Sequence, residues 1–267
     1  MIKIFKKIIR GGINQFEYLG NNILGKRRCP VCGNKIIKYQ HFDLAYLDEY
    51  FKYQLIHPIT ALETFNVIGY SCPICHTNDS TRLYALYLSE RLGALEKLEK
   101  DLNLLDIAPT ARLAQLIKSF KKVKYRSADL YMTGVDDQVD VTDMAIYPDG
   151  YFDLIICTHV LEHVQEDRRA LQELFRILKI GGEAIIQVPI LMTITEDYEN
   201  ESAVTAEDRW KHYGESTHVR FYSKPGFVSK LAAAGFTVLQ LGREYFGKEV
   251  FKLNSLAETS VLYVVKK

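Results

Sequence analysis

"VTDMAIYPDGYFDLIICTHVLEHVQEDRRALQELFRILKIGGEAIIQVPI", residues 141–190, decides the fold. "YFDLIICTHV" is an apolar run of strand length. "DRRALQELFRIL" carries apolar residues at helical spacing, and "GEAIIQVPI" is a second apolar run behind a Gly-Gly break. Strand, helix and strand in so short a stretch predict a crossover unit, and hence a parallel sheet. The same alternation extends both ways. Upstream lie the strand "NLLDI" (103–107), the helix "TARLAQLIKSF" (110–120), the strand "KVKYRSAD" (122–129) and a short strand "QVDVTD" (138–143). Downstream come a polar loop from Thr193 to Thr217, the helix "KPGFVSKLAAAGF" (224–236) and the strands "TVLQLGREYF" (237–246) and "SVLYVVKK" (260–267). The fold class is therefore α/β, with helices on both faces of a mainly parallel sheet.

Open parallel sheets bind ligands at the carboxyl ends of their strands, where strand order reverses. Asp106, Asp129, Asp143 and Thr158 all fall at such ends. Asp106 is placed to receive a cationic group of a ligand, and Asp129 to receive ribose hydroxyls, as acids after the second strand do in dinucleotide folds. The alternative for each is an exposed loop carboxylate or a helix cap. After Asp106 come Ile107, Ala108, Pro109 and Thr110, without the glycines usual in a turn that a nucleotide approaches. Ala108 is the next-smallest residue, Pro109 fixes its own backbone angle, and Thr110 is positioned to cap the following helix.

Four of the five cysteines form two similar pieces, "CPVCGNK" with Cys29 and Cys32 and "CPICHTN" with Cys72 and Cys75. Doubled C-P-x-C turns predict a structural zinc held by four thiolates, with no position left open for chemistry; two disulfides or a redox pair are the alternatives. Gly33 supplies the left-handed conformation that closes such a turn. The 39 residues from Gly33 to Ser71 exceed a minimal ribbon. They read as strands "KIIKYQHF" and "TFNVIGYS" around a helix, "AYLDEYFKYQL", whose Tyr46, Tyr50, Phe51 and Tyr53 are core candidates. The helix "TRLYALYLSERLGALEKLEK" (81–100) then links two modules, a zinc ribbon with its basic front segment over 1–92 and an α/β domain over 93–267.

Composition is that of a soluble globular protein, 48% hydrophobic and 25% charged with net charge +1, which excludes disordered and fibrous classes. Residues 1–38 nevertheless hold nine Lys or Arg (Lys3, Lys6, Lys7, Arg10, Lys26, Arg27, Arg28, Lys35 and Lys38) against one acid, Glu17, so the remainder is acidic. Such an end suits nucleic acid, anionic lipid, a phosphorylated substrate or plain solvent. No apolar run reaches the ~18 residues of a membrane span. "MIKIFKKIIR" lacks the cleavage site of a signal peptide. Read as a helix, it stripes Ile2, Phe5, Ile8 and Ile9 for docking on the protein itself or for weak contact with a membrane surface through residues 1–10. A cytoplasmic location is expected, and the oligomeric state is not legible.

The opening block resembles the second half of class I S-adenosylmethionine (SAM) methyltransferases, of the type 11-like group. The resemblance implies a Rossmann-like sheet, SAM as cofactor, and methyl transfer as the activity. It places Asp143, with Met144 beside it, at the adenine amino group. Phe152 to Cys157, with Thr158 at the strand end, lies under the methionine part, and Leu161-Glu162-His163 is the L-E-H that opens the next helix. Ala108 and Pro109 stand where that family has glycines. This I-A-P turn is similar to that of a subgroup with zinc-ribbon front ends, an arginine-bearing segment after the second knuckle, and a late H-x-R-x-Y, here His218, Arg220 and Tyr222.

The sulfonium of SAM is already activated, so transfer needs alignment and, for an oxygen or carbon nucleophile, a base. His163, Glu162 and His159 are the candidates, while His218 and Arg220 are placed to bind an acidic or hydroxylated acceptor. His163 as a backbone-bonded helix-start residue is the structural alternative. No catalytic metal is expected beside L-E-H, because the full acidic set is absent. Cys157 is a strand residue among apolar neighbours, and the loop with Trp210, His212 and Tyr213 is expected to cover the acceptor.

The leading expectation is SAM-dependent methylation of a small or carbohydrate-like acceptor, by association in surface-glycan or natural-product pathways. One alternative is an RNA methyltransferase using the basic zinc ribbon. The acidic catalytic half and the missing N/D-P-P-F/Y signature count against it. The other is a non-catalytic binding scaffold.

Overall fold

The computed structural model describes Asn21 and residues 24–267 other than Leu44. The amphipathic stripe of residues 1–10 lies outside the described residues.

Seven strands form the main sheet: β3 (Leu102–Ile107), β4 (Val123–Asp129), β5 (Asp137–Gln138), β6 (Phe152–Thr158), β7 (Leu178–Gln187), β8 (Thr237–Leu241) and β9 (Leu262–Lys266), in the order β5-β4-β3-β6-β7-β9-β8. The first five run parallel, and β9 lies antiparallel between β7 and β8. From β3 the chain winds outward through β4 to β5, then returns to the other side of β3 as β6. The order thus reverses between β3 and β6, and a crevice opens at their carboxyl ends.

Both central strands are buried on both faces, which is why they read as nearly continuous apolar runs. Alternate residues enter different cores. Leu105, Ile107, Phe152 and Ile155 pack with Leu171, Leu174, Phe227 and Tyr263 on one face. On the other, Leu104, Leu154, Ile156 and Val264 pack with Leu83, Leu88 and Leu92.

A short hairpin, β1 (Arg27–Arg28) with β2 (Lys35–Ile36), carries the first cysteine turn. The expected longer strands of the insertion are reduced to this pairing and a Gln40–Ser71 bridge. Between them sits helix α1 (Ala45–Lys52), as expected. Helix α2 (Asp79–Lys97), capped by Asn78, is more than a linker. It buries Leu83, Tyr84, Leu88 and Leu92 and covers one face of the sheet, and the same core runs on to Cys29, Ile36, Cys72 and Cys75. The 92/93 division therefore falls inside a helix that both parts share.

Further along are α3 (Ala111–Ile117), α4 (Asp167–Ile177), α5 (Ala206–Tyr213) and α6 (Lys224–Ala233). Thr110 occupies the position before α3 but makes no capping bond through its side chain. α5 lies within the segment expected to be a polar loop, started by a capping box between Thr205 and Asp208. The "TVLQLGREYF" segment leaves the sheet at Leu241 and continues as α7 (Arg243–Phe246) and α8 (Lys248–Leu253). Among the described residues, no helix is long and apolar enough to cross a membrane.

Candidate functional site

The cysteine turns share one backbone pattern. Gly33 N donates to Cys29 O at 2.9 Å, and His76 N to Cys72 O at 2.9 Å; Gly33 and His76 both take left-handed conformations, with φ of +70° and +60°. His76 does so against the steric cost of its Cβ, about 1–2 kcal/mol. The four sulfurs lie within 4.8 Å of one another, all in free cysteines, and Cys29 Sγ stands 3.8 Å from Cys75 Sγ. A zinc tetrahedron with Zn–S near 2.3 Å has edges of about 3.8 Å, so distance and donor chemistry both fit zinc.

Arg82 ties this front end to the rest. It is wholly buried, stacks on Tyr39 at 3.9 Å and donates to the carbonyls of Tyr70 (2.8 Å), Thr77 (3.2 Å), Gly69, Asn254 (3.0 Å) and Ser255 (3.3 Å).

At the switch point a cleft of about 670 Å³ is walled by Ile107 and Ala108 after β3, Asp129 and Tyr131 after β4, and Asp140 to Thr142. His159, His163 and Arg209 complete it. That volume suits a drug-sized or nucleoside ligand. Ala108 takes φ +53°, the conformation a glycine normally supplies, and its N–H is held by Ala128 O at 2.9 Å. Asp129 Oδ1 accepts from the N–H groups of Tyr131 (2.7 Å) and Met132 (2.6 Å), which leaves its second oxygen for a ligand.

A smaller cavity of about 170 Å³ adjoins it, lined among others by Tyr50, Glu63, Tyr70, Asp79 and Gln187. His159 belongs to both walls. Burial pushes the Asp79 carboxyl up to about 6. The inserted segment roofs this region: Tyr53 stacks on Trp210 of α5 at 5.6 Å, and Ile56 N donates to Lys211 O at 2.9 Å.

The L-E-H turn and the H-V-R-F-Y segment lock each other. Val219 N donates to Glu162 O at 2.9 Å. Arg220, 2% exposed, donates to Leu161 O (3.2 Å), Val164 O and Gln165 O (2.9 Å) and pairs with Glu199 (2.8 Å). Tyr222 hydroxyl reaches Leu161 O (3.2 Å) and Asp167 (2.8 Å). Arg220 is thus spent on positioning the turn; an acceptor-binding role for it does not fit this placement.

Glu162 is buried behind the turn, with His159 Nδ1 at 3.3 Å from Oε1. Burial would raise its carboxyl, but the imidazoles of His159, His218 and His163 hold it below the ordinary range. His163 and His218 pack edge to face at 4.6 Å, and burial pushes His218 down.

Of the expected cofactor residues, Ala108 and Asp129 line the cleft. Asp106 does not: it is buried against the Tyr125 hydroxyl at 2.8 Å, and burial pushes it up to about 7. Pro109 and Thr158 stand beside the lining without joining it. Asp143 is exposed and Met144 belongs to the core; the ladder expected over "QVDVTD" stops at Gln138, and a turn from Asp140 to Asp143 brings Asp140 to the wall instead. Asp140, Tyr131 and Arg209 are residues the sequence reading missed. Only Arg209 had a signal, the T-x-x-D capping box that starts its helix.

A mainly parallel sheet with a cleft at its switch point is the type of α/β protein that binds ligands at the carboxyl ends of its strands. Within that type, the chain belongs to a family described as a methyltransferase domain, whose profile matches residues 79–241, more than half of its length. Among curated proteins it is 29% identical over 106 residues to the ajmaline N-methyltransferase of Rauvolfia serpentina (39% of this chain, 35% of that one). It is 28% identical over 108 residues to an uncharacterized protein of Methanocaldococcus jannaschii (40% of each). The chain spans well under half the length of these relatives. Among solved structures, an S-adenosylmethionine-dependent methyltransferase from Mesorhizobium loti is similar at 14% identity and TM-score 0.45, over 67% of this chain and 98% of that one. The 1,6-didemethyltoxoflavin-N1-methyltransferase of Burkholderia thailandensis is similar at 16% identity and TM-score 0.42, over 67% and 74%.

Proposed function

We propose that the chain transfers a methyl group from SAM, held in the 670 Å³ cleft, to a small ring-bearing or carbohydrate-like acceptor in the adjoining 170 Å³ cavity. The observation that carries this reading is His159, which stands between the two cavities. SAM supplies an electrophilic methyl on a cationic sulfonium. On this reading the Ala108 turn gives the cofactor close backbone approach, Asp129 receives the ribose hydroxyls, and the Asp140–Thr142 turn meets the adenine edge. His159 accepts the proton of a hydroxyl acceptor at Nε2, where the acceptor takes the place of the Tyr84 hydroxyl at 3.3 Å, and Glu162 behind Nδ1 stabilises the imidazolium. Tyr50 and Tyr70 offer ring faces, and Glu63, Asp79 and Gln187 polar contacts, which suits one polar ring rather than a polymer. The relative named for N-methylation of ajmaline favours natural-product chemistry.

Calorimetry of the full chain with SAM and its demethylated product is the direct test. Micromolar binding supports the reading, and no binding at about 1 mM would sink it. Mass-spectrometric screening of acceptors for a gained methyl then identifies the substrate.

A further inference from the structure

The residues behind the L-E-H turn form a donor set that methyl transfer alone does not explain. One oxygen of Glu162 and one ring nitrogen each of His163 and His218 lie within 4.8 Å of one another. Glu162 is 1% exposed, and among the described residues neither of its oxygens has a hydrogen bond of good geometry; the buried His218 Nδ1 has none either. A buried carboxylate left without hydrogen bonds calls for positive charge beside it, and the donors that face it are imidazole nitrogens.

The surroundings suit a cation. His163 Nδ1 bonds Thr217 Oγ1 at 2.8 Å, and that hydroxyl donates on to Glu215. A relay of this kind behind an imidazole fixes its tautomer and orients the other nitrogen for a metal. Two imidazoles and one carboxylate, with positions left open, suit borderline divalent ions rather than magnesium or calcium. Of the three donors His163 lines the cleft, beside Thr217 and His159, so the site is reached from the cleft past His163. The sequence argued against a metal here because acids were missing, but the fold supplies nitrogen donors instead, one of them from 55 residues downstream of His163.

We propose that Glu162, His163 and His218 bind a divalent transition-metal cation at the edge of the cleft. This site is separate from the thiolate site and does not depend on SAM occupying the cleft.

The test is titration of the zinc-loaded full chain with Co²⁺. One added equivalent is expected, with d–d absorption and without the thiolate-to-cobalt band that displacement of zinc from the cysteines would give. His163→Ala, at an exposed position, and the near-isosteric Glu162→Gln should each weaken Co²⁺ binding roughly tenfold or more, with zinc content unchanged and the fold retained by circular dichroism. No binding at about 1 mM Co²⁺, equal affinity in the variants, or thiolate bands alone would overturn the proposal. Calorimetry with SAM separates the two readings. SAM bound without Co²⁺ removes only the metal, and Co²⁺ bound without SAM removes only the methyl-transfer reading.

Discussion

Ala108 and His159 adopt the same left-handed backbone conformation, φ +53° and +56°, each as the first residue beyond one of the two strands that flank the switch point. Each N–H is held by the neighbouring strand, Ala108 by Ala128 O and His159 by Gln187 O. Both edges of the cleft are therefore bent by residues that carry a Cβ, and the sheet holds them there against a cost of about 1–2 kcal/mol each.

Relieving that cost at Ala108 is expected to stabilise the fold. Ala108→Gly should gain up to about 1 kcal/mol in urea denaturation, the relief being partly offset by glycine's greater freedom when unfolded. Ala108→Val should lose at least about 1 kcal/mol, because a β-branched residue tolerates this conformation worse.

If SAM occupies the cleft as proposed, the acids that line it and the one that does not are expected to differ. Asp129→Ala and Asp140→Ala are each expected to weaken SAM binding by about 1–3 kcal/mol in calorimetry, through lost hydrogen bonds to the ligand. Asp143→Ala should leave it unchanged, since Asp143 is exposed and is not among the residues that line the cleft. The reverse order would restore the adenine contact to Asp143.

Asp106 makes stability depend on pH with an uncommon sign. Its carboxyl holds a proton up to about pH 7 in the fold, against an ordinary value of 3.8. Between these values the native state binds more protons than the unfolded chain. Its contribution therefore falls as pH rises from about 4 to 7 and is flat above. Asp106→Asn should remove this component, gaining on the order of 2–4 kcal/mol relative to the parent between pH 5 and pH 8. Parallel slopes in urea titrations of the two proteins over that range would contradict it.

Arg82 is expected to be the costliest single side chain to replace. Arg82→Met should destabilise by about 3–5 kcal/mol, because the carbonyls of five residues lose a buried donor together. Arg82→Lys should recover little of this, since one ammonium cannot span the same fork. Differential scanning calorimetry reads both. A loss under about 1 kcal/mol for Arg82→Met would mean that water replaces the guanidinium.

What the sequence revealed follows from the range over which each feature is encoded. β3, β6 and the second half of β7 were legible because strands buried on both faces carry nearly continuous apolar runs, whereas β7 begins four residues before the expected Gly182, at Leu178. The cysteine turns were legible because their geometry is local. Helix α2 was visible as a helix, but periodicity cannot say whether its apolar side meets a sheet or spans a gap, so its place in the shared core was not. Arg220 carried a recognisable pattern and the wrong role: whether a guanidinium faces a ligand or backbone carbonyls depends on residues 55 to 59 positions away. That Asp140 rather than Asp143 lines the cleft turns on where a two-residue strand stops, a boundary that no local signal fixes. Alanine is not the residue chosen for a left-handed conformation, so at Ala108 the hint came only from the glycines that the resembling family has there.

Arg27 donates to Ser255 Oγ, Arg82 reaches the carbonyls of Asn254 and Ser255, and the core beneath the cysteine turns includes Phe251, Leu256 and Val264. During synthesis the cysteines therefore emerge from the ribosome long before the surface that buries them exists. Zinc can gather the thiolates early, but the front end must wait, half-covered, for a segment made more than 170 residues later. The order in which this chain is translated is thus not the order in which its parts can be completed.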